Sequence, residues 1–145
     1  MPNTFTQIYI QVVFAVNGRQ SLISPSFKET LFKYIGGTMR NAGQKLIAIN
    51  GMPDHVHILI GLKPNIALSA LVKDIKVASS RLINDKGWVR GHFNWQEGFG
   101  AFSYSQSHMS KVARYIENQE RHHARQSFKD EYLSMLKNFQ IEQQL

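Results

Sequence analysis

The sequence predicts a single α+β domain, an antiparallel sheet with helices on one face. Strand-like and helix-like apolar periods follow one another as β-α-β-β-α-β-α-α, and no linker, repeat or low-complexity segment breaks the series. The 145 residues, 43% of them hydrophobic, suit one core, so the domain is expected to span residues 1–145.

Thr4 to Val16 alternates, with Thr6, Ile8, Ile10, Val12, Phe14 and Val16 on one face and Gln7, Tyr9 and Gln11 on the other, which predicts the first strand. Ser26 and Glu29 behind Pro25 form a capping signature. Phe27, Leu31, Tyr34, Ile35 and Met39 then follow at helical spacing until Asn41-Ala42-Gly43. Lys45 to Asn50 and His55 to Leu62 read as strands joined by the turn Gly51-Met52-Pro53-Asp54. Leu68, Leu71, Val72, Ile75, Ser79 and Leu82 make one helical stripe, placing the second helix at about residues 67–85. Phe93 to Ser105 carries aromatic residues around Gly98 and Gly100, as a strand with a bend would. Ser107 is positioned to cap a third helix of roughly residues 109–125, and Ser127 with Asp130 opens a fourth bearing Tyr132, Leu133, Leu136 and Phe139. The first six elements stand in the ferredoxin-like order.

Composition narrows the chemistry. Without cysteine there are no disulfides, thiolate metal sites or cysteine nucleophiles, so any metal must sit on histidine and oxygen ligands. No stretch approaches a membrane span or a secretory leader, which leads to the expectation of a cytoplasmic protein without membrane contact. Seventeen Lys and Arg against ten Asp and Glu give a charge of +7, which favours an anionic partner such as nucleic acid or simply aids solubility.

His55 and His57 flank one residue of a predicted strand, so both imidazoles point to the same side while Val56, Ile58 and Ile60 point to the core. Such a pair is half of a metal site or a pair of hydrogen-bonded histidines. On the third helix, Met109, Val112, Ala113 and Ile116 make the apolar stripe, and Tyr115 and Gln119 lie roughly 110° and 70° from its centre. As an i, i+4 pair, a Gln119 oxygen on a metal would hold the Tyr115 phenol beside whatever the metal binds. Two imidazoles and an amide are neutral ligands, leaving Mg2+ or Mn2+ its full charge as a Lewis acid on a phosphodiester. A tyrosine attacking that phosphorus would store the broken bond as a phosphotyrosyl ester.

These residues, His55-Val56-His57 within Gly-Met-Pro-Asp-His-Val-His-Ile-Leu-Ile, Tyr115-Ile-Glu-Asn-Gln119 and Trp95-Gln96-Glu97-Gly98-Phe99-Gly100-Ala101-Phe102-Ser103, resemble the single-tyrosine HUH transposases, the small IS200-like single-strand transposases of bacterial insertion sequences. The likeness runs over nearly the whole chain, continuing through Glu120, Arg121, His122, His123, Phe128 and Glu131. It implies His55, His57 and Gln119 as ligands of Mg2+ or Mn2+, and Tyr115 as the nucleophile that takes a 5′-phosphate and frees a 3′-OH. It also implies single-stranded DNA with hairpins at transposon ends as substrate, and a homodimer with a joined sheet, in which many relatives complete one site with the partner's tyrosine helix.

Lys73, Lys76, Arg81 and Arg90 are candidates for the DNA backbone, and His122 shares the flank of Tyr115 and Gln119. Tyr9, Tyr34, Tyr104 and Tyr132 fall where an aromatic serves the core. The alternative is a non-catalytic α+β module binding single-stranded nucleic acid, which would need neither co-facial histidines nor Tyr115 and Gln119. A metal-free phosphoesterase with paired His-x-Ser/Thr motifs has one copy here, His108-Met109-Ser110, where two are needed.

Overall fold

A computed structural model of the chain describes residues 4–119 and 127–139. Four strands, β1 (Tyr9–Ala15), β2 (Lys45–Met52), β3 (His55–Gly61) and β4 (Gly100–Tyr104), form one antiparallel sheet in the order β2-β3-β1-β4. The helices described are α1 (Pro25–Asn41), α2 (Leu68–Lys86), α3 (Met109–Glu117) and α4 (Phe128–Asn138). This is the ferredoxin-like order, with α3 and α4 added behind it. Among the described residues, no helix is long and apolar enough to cross a membrane.

Helices cover both faces of the sheet, which corrects the expectation of helices on one face. Val12, Phe14, Val56, Ile58 and Ile60 pack under Leu31 and Ile35 of α1 and Leu71 and Ile75 of α2. On the other face, Ala48 and Leu59 meet Val112 and Ile116 of α3, while Val13, Ala15 and Phe102 meet Phe128 and Met135 of α4. Every residue from Gln11 to Val16 is therefore buried, as in a central strand with no solvent face.

The first strand begins at Tyr9, not Thr4, because Tyr9 pairs with the last residue of β3, Gly61, and of β4, Tyr104. Helix α1 is capped by Ser24, whose hydroxyl accepts from the Ser26 amide at 3.2 Å, and not by Ser26. Pro25 takes the first helical position, where its fixed φ and missing N–H cost nothing. Ser107 does not cap α3; a 3-10 turn over 106–108 leads into it, and α3 reaches only Glu117 before Asn118 leaves helical geometry. Ser127 caps α4 as expected, accepting from the Asp130 amide.

The β2–β3 hairpin fixes the level of the site. Gly51 stands opposite Val56, and a Cβ there would run into the His55 carbonyl oxygen, so only glycine lets the strands close this tightly. The turn is tied from outside: Val16 donates to the Asp54 carbonyl and Ile23 to the Pro53 carbonyl, each at 2.9 Å.

Candidate functional site

Strand alternation puts His55 and His57 on the face under α3 and α4, where both are fully buried. The sequence placed them on one face, opposite Val56 and Ile58; that this face is roofed was not anticipated. The His55 ring stacks on Phe128 of α4, with centroids 4.2 Å apart. Behind each ring an acceptor engages Nδ1: Asp54 Oδ1 at 2.7 Å for His55 and Gln11 Oε1 at 2.6 Å for His57. Both Nε2 atoms consequently turn toward the same interior point.

Helix α3 brings Tyr115 to that point, and Gln119 reaches it from just beyond the end of the helix. Asn50 of β2 donates to the Glu117 carbonyl at 3.0 Å, which secures the C-terminal end of the helix beside the histidine strand. Gln119 is fully buried, with its Oε1 3.3 Å from His55 Nε2. The half-buried Tyr115 ring lies with its centroid 6.1 Å from that of His57.

Glu131 of α4 is the residue that sequence reasoning did not assign a role. Its carboxylate is 2% exposed; Oε1 lies 2.9 Å from His57 Nε2 and 3.5 Å from His55 Nε2, while Oε2 accepts from the Tyr115 hydroxyl and, at 3.3 Å, from Gln119 Nε2. The signal was present: Phe128, Glu131, Tyr132 and Met135 make the i, i+3, i+4, i+7 stripe of α4, and an acid in an apolar stripe needs a partner.

Burial opposes ionisation of Glu131, yet the hydrogen bonds from His55 and His57 outweigh it and hold the carboxyl well below its usual range. Burial likewise works against a charged His55, but hydrogen bonds to Asp54 and Glu131 raise it above its ordinary 6.5. Tyr115 is pushed far up by burial, then by its bond to the Glu131 carboxylate, so the phenol is held protonated.

The donor set fits a divalent cation. His55, His57 and Glu131 offer ligand atoms within 4.8 Å of one another. Among the described residues, the two Nε2 atoms face the acceptors Glu131 Oε1 and Gln119 Oε1, an arrangement that favours positive charge, whether protons or a metal. Two imidazoles with oxygen donors, each imidazole oriented from behind, suit a divalent cation.

The basic candidates do not join this cluster. Lys73, Lys76 and Arg81 are on α2, across the sheet from the histidines, and Arg90 is exposed in the segment after it. Lys76 donates to the Gln96 and Gly98 carbonyls at 2.8 and 2.6 Å, and burial lowers its pKa. His122 lies outside the described residues. Of the tyrosines assigned to the core, Tyr132 and Tyr104 pack against the cluster around Phe128, the Tyr104 hydroxyl also accepting from Gln11 at 2.8 Å, whereas Tyr34 is exposed.

A buried two-histidine cluster on a ferredoxin-like sheet, with a tyrosine reaching it from a following helix, defines a class. The model of the IS200-like transposases matches residues 4–119, and the chain belongs to that family. The match includes His55, His57, Tyr115 and Gln119 and stops short of Glu131. The chain is 25% identical over 120 residues to the ISDra2 transposase TnpA of Deinococcus radiodurans, covering 78% of this chain and 84% of that one. In fold it is similar to a crystal structure from Deinococcus radiodurans R1 assigned to a transposase (TM-score 0.65, 23% identity, 82% of this chain and 95% of that one). It is also similar to a REP-associated tyrosine transposase bound to a REP hairpin (TM-score 0.60, 15% identity, 81% and 70%).

Proposed function

We propose that this transposase cleaves and rejoins single-stranded DNA at insertion-sequence ends through a 5′-phosphotyrosine on Tyr115. The observation that carries the reading is the contact of the Tyr115 hydroxyl with Glu131, the same carboxylate that faces His55 and His57. The Tyr115 hydroxyl and the histidine pair are thereby linked through one carboxylate. His55 Nε2, His57 Nε2 and Gln119 Oε1 would hold Mg2+ or Mn2+, with Glu131 Oε1 facing the same point. A bound cation would supply Lewis acidity to a phosphodiester oxygen.

The protein's own groups do the rest. Tyr115 Oη forms a bond to phosphorus as the bond from phosphorus to the 3′ oxygen breaks. Glu131 Oε2, already the acceptor of the phenolic proton, is placed to take it during attack, and the leaving oxygen gains a proton to become the 3′-OH. One phosphoester replaces another, so reversal by a new 3′-OH needs no nucleotide hydrolysis. The net positive charge favours a phosphate backbone, and the hairpin held by the REP-associated relative suggests folded transposon ends as the ligand. We take the working unit to be a homodimer with a joined sheet, as the family resemblance implies, in a cytoplasmic setting.

The test is incubation of the protein and Mg2+ with each strand of its own element's ends, followed by a search for a covalent protein–DNA band. Wild type and Tyr132→Phe should give the band and Tyr115→Phe none. An adduct on Tyr115→Phe would reassign the nucleophile. Cleavage by that variant without an adduct would make water the attacking group.

A further inference from the structure

His57 is served by a row of side chains crossing three strands. On the face beneath α3 and α4, Val13 pairs with His57 and Gln11 with Leu59, so Gln11 is the diagonal neighbour of His57. Gln11 pairs with Phe102 and Tyr9 with Tyr104, so Tyr104 is the diagonal neighbour of Gln11 on the other side. The side chains meet accordingly: His57 Nδ1 donates to Gln11 Oε1 at 2.6 Å, and Gln11 Nε2 donates to the Tyr104 hydroxyl at 2.8 Å. Gln11 is 1% exposed, and a buried amide with no partner for either end would be costly.

The direction of that amide decides which nitrogen of His57 can bind a cation. With the carbonyl oxygen toward the ring, Nδ1 keeps its hydrogen and the lone pair of a neutral imidazole falls on Nε2, the atom aimed at Glu131 and His55. With the amide reversed, its NH2 would face Nδ1, the hydrogen would move to Nε2, and that nitrogen would be closed to a metal. Asp54 can only accept when ionised, so His55 has its tautomer chosen by charge. Gln11 carries an acceptor at one end of its amide and a donor at the other, so it is the oxygen facing the ring that makes the choice for His57.

We propose that Gln11 is a positioning residue that selects the Nδ1–H tautomer of His57 for metal binding, with the Tyr104 hydroxyl holding the far end of its amide in place. The inference rests on the metal centre described under Proposed function and deepens it. Gln11→Met keeps length and apolar volume but removes the acceptor; Gln11→Glu keeps an acceptor that cannot be reversed. Tyr104→Phe keeps the acceptor on His57 and removes the partner that holds the Gln11 Nε2.

The experiment titrates Mn2+ into the full chain by calorimetry and records the His57 Nδ1–H proton by NMR in the metal-free protein, with circular dichroism as the check on folding. Gln11→Met should lose the Nδ1–H signal and weaken Mn2+ binding about 10- to 100-fold, whereas Gln11→Glu should keep the signal and bind within about threefold of wild type. Tyr104→Phe should weaken binding less, and Gln11→Met with Tyr104→Phe should be no weaker than Gln11→Met alone, since the hydroxyl acts through the amide. A folded Gln11→Met that binds as tightly as wild type overturns the inference, as do losses that add in the double variant. Should Gln11→Met not fold, Gln11→Glu still decides: loss of the Nδ1–H signal in that variant overturns it. A wild-type chain that binds no Mn2+ overturns the metal centre and this inference together, so the two failures are distinguishable.

Discussion

Glu131→Gln tests the site most directly, because it removes one charge and changes almost no volume. The wild-type carboxylate accepts from Tyr115 and Gln119 and faces both imidazoles; the amide keeps one acceptor and turns an NH2 toward donors on the other side. Breaking a buried ion pair costs about 3–5 kcal/mol, and the acceptor that remains argues for the lower figure. At about 3 °C per kcal/mol for a chain of this size, the metal-free variant should melt about 9 °C below wild type. The gap should depend on pH in a set direction. Glu131, held below its ordinary 4.5, stabilises above that value and loses its contribution as pH falls toward its folded value. His55, raised above 6.5, contributes fully below that value and loses its share as pH rises through its folded value. The difference in melting temperature, read by calorimetry in EDTA, should therefore be largest between pH 4.5 and 6.5. Single-turnover cleavage of an element end should fall about 100-fold or more, since the acceptor of the Tyr115 proton is gone. A gap below about 2 °C across the range, or one that does not vary with pH, would refute the pairing of Glu131 with the histidines.

His55→Ala and His57→Ala should abolish the covalent band while hairpin binding, followed by gel shift, stays within about threefold, because the ligands supply Lewis acidity more than affinity. Full cleavage by either variant, or by wild type in excess EDTA, would remove the metal from the mechanism. Light scattering should give twice the chain mass of 16.6 kDa at micromolar concentration. An active monomer would contradict the joined sheet.

The order of elements was legible because each period stood clear of the next, and His55 and His57 were legible because a strand has period two. Tyr115 and Gln119 could be placed together by helical spacing alone. Glu131 could not be joined to them that way: it lies twelve residues beyond Gln119 on a separate helix, and only the fold returns it to the same point. The second helical layer was missed because Gln7, Tyr9 and Gln11 read as a solvent face, although Val13 and Ala15 continue that face with apolar residues. Gln11 is polar there for a reason that alternation does not carry, a partner two strands away in sequence.

Among the described residues, helices roof the sheet on both sides and its edges are β2 and β4, the flanks along which it can grow. A second copy joined along either flank would be gripped by main-chain amides and carbonyls, which every residue but proline supplies alike. Such a seam leaves almost no trace in side-chain chemistry. Relatives could diverge freely along it and still assemble in the same way, and a proline facing the seam would be the substitution it could not absorb.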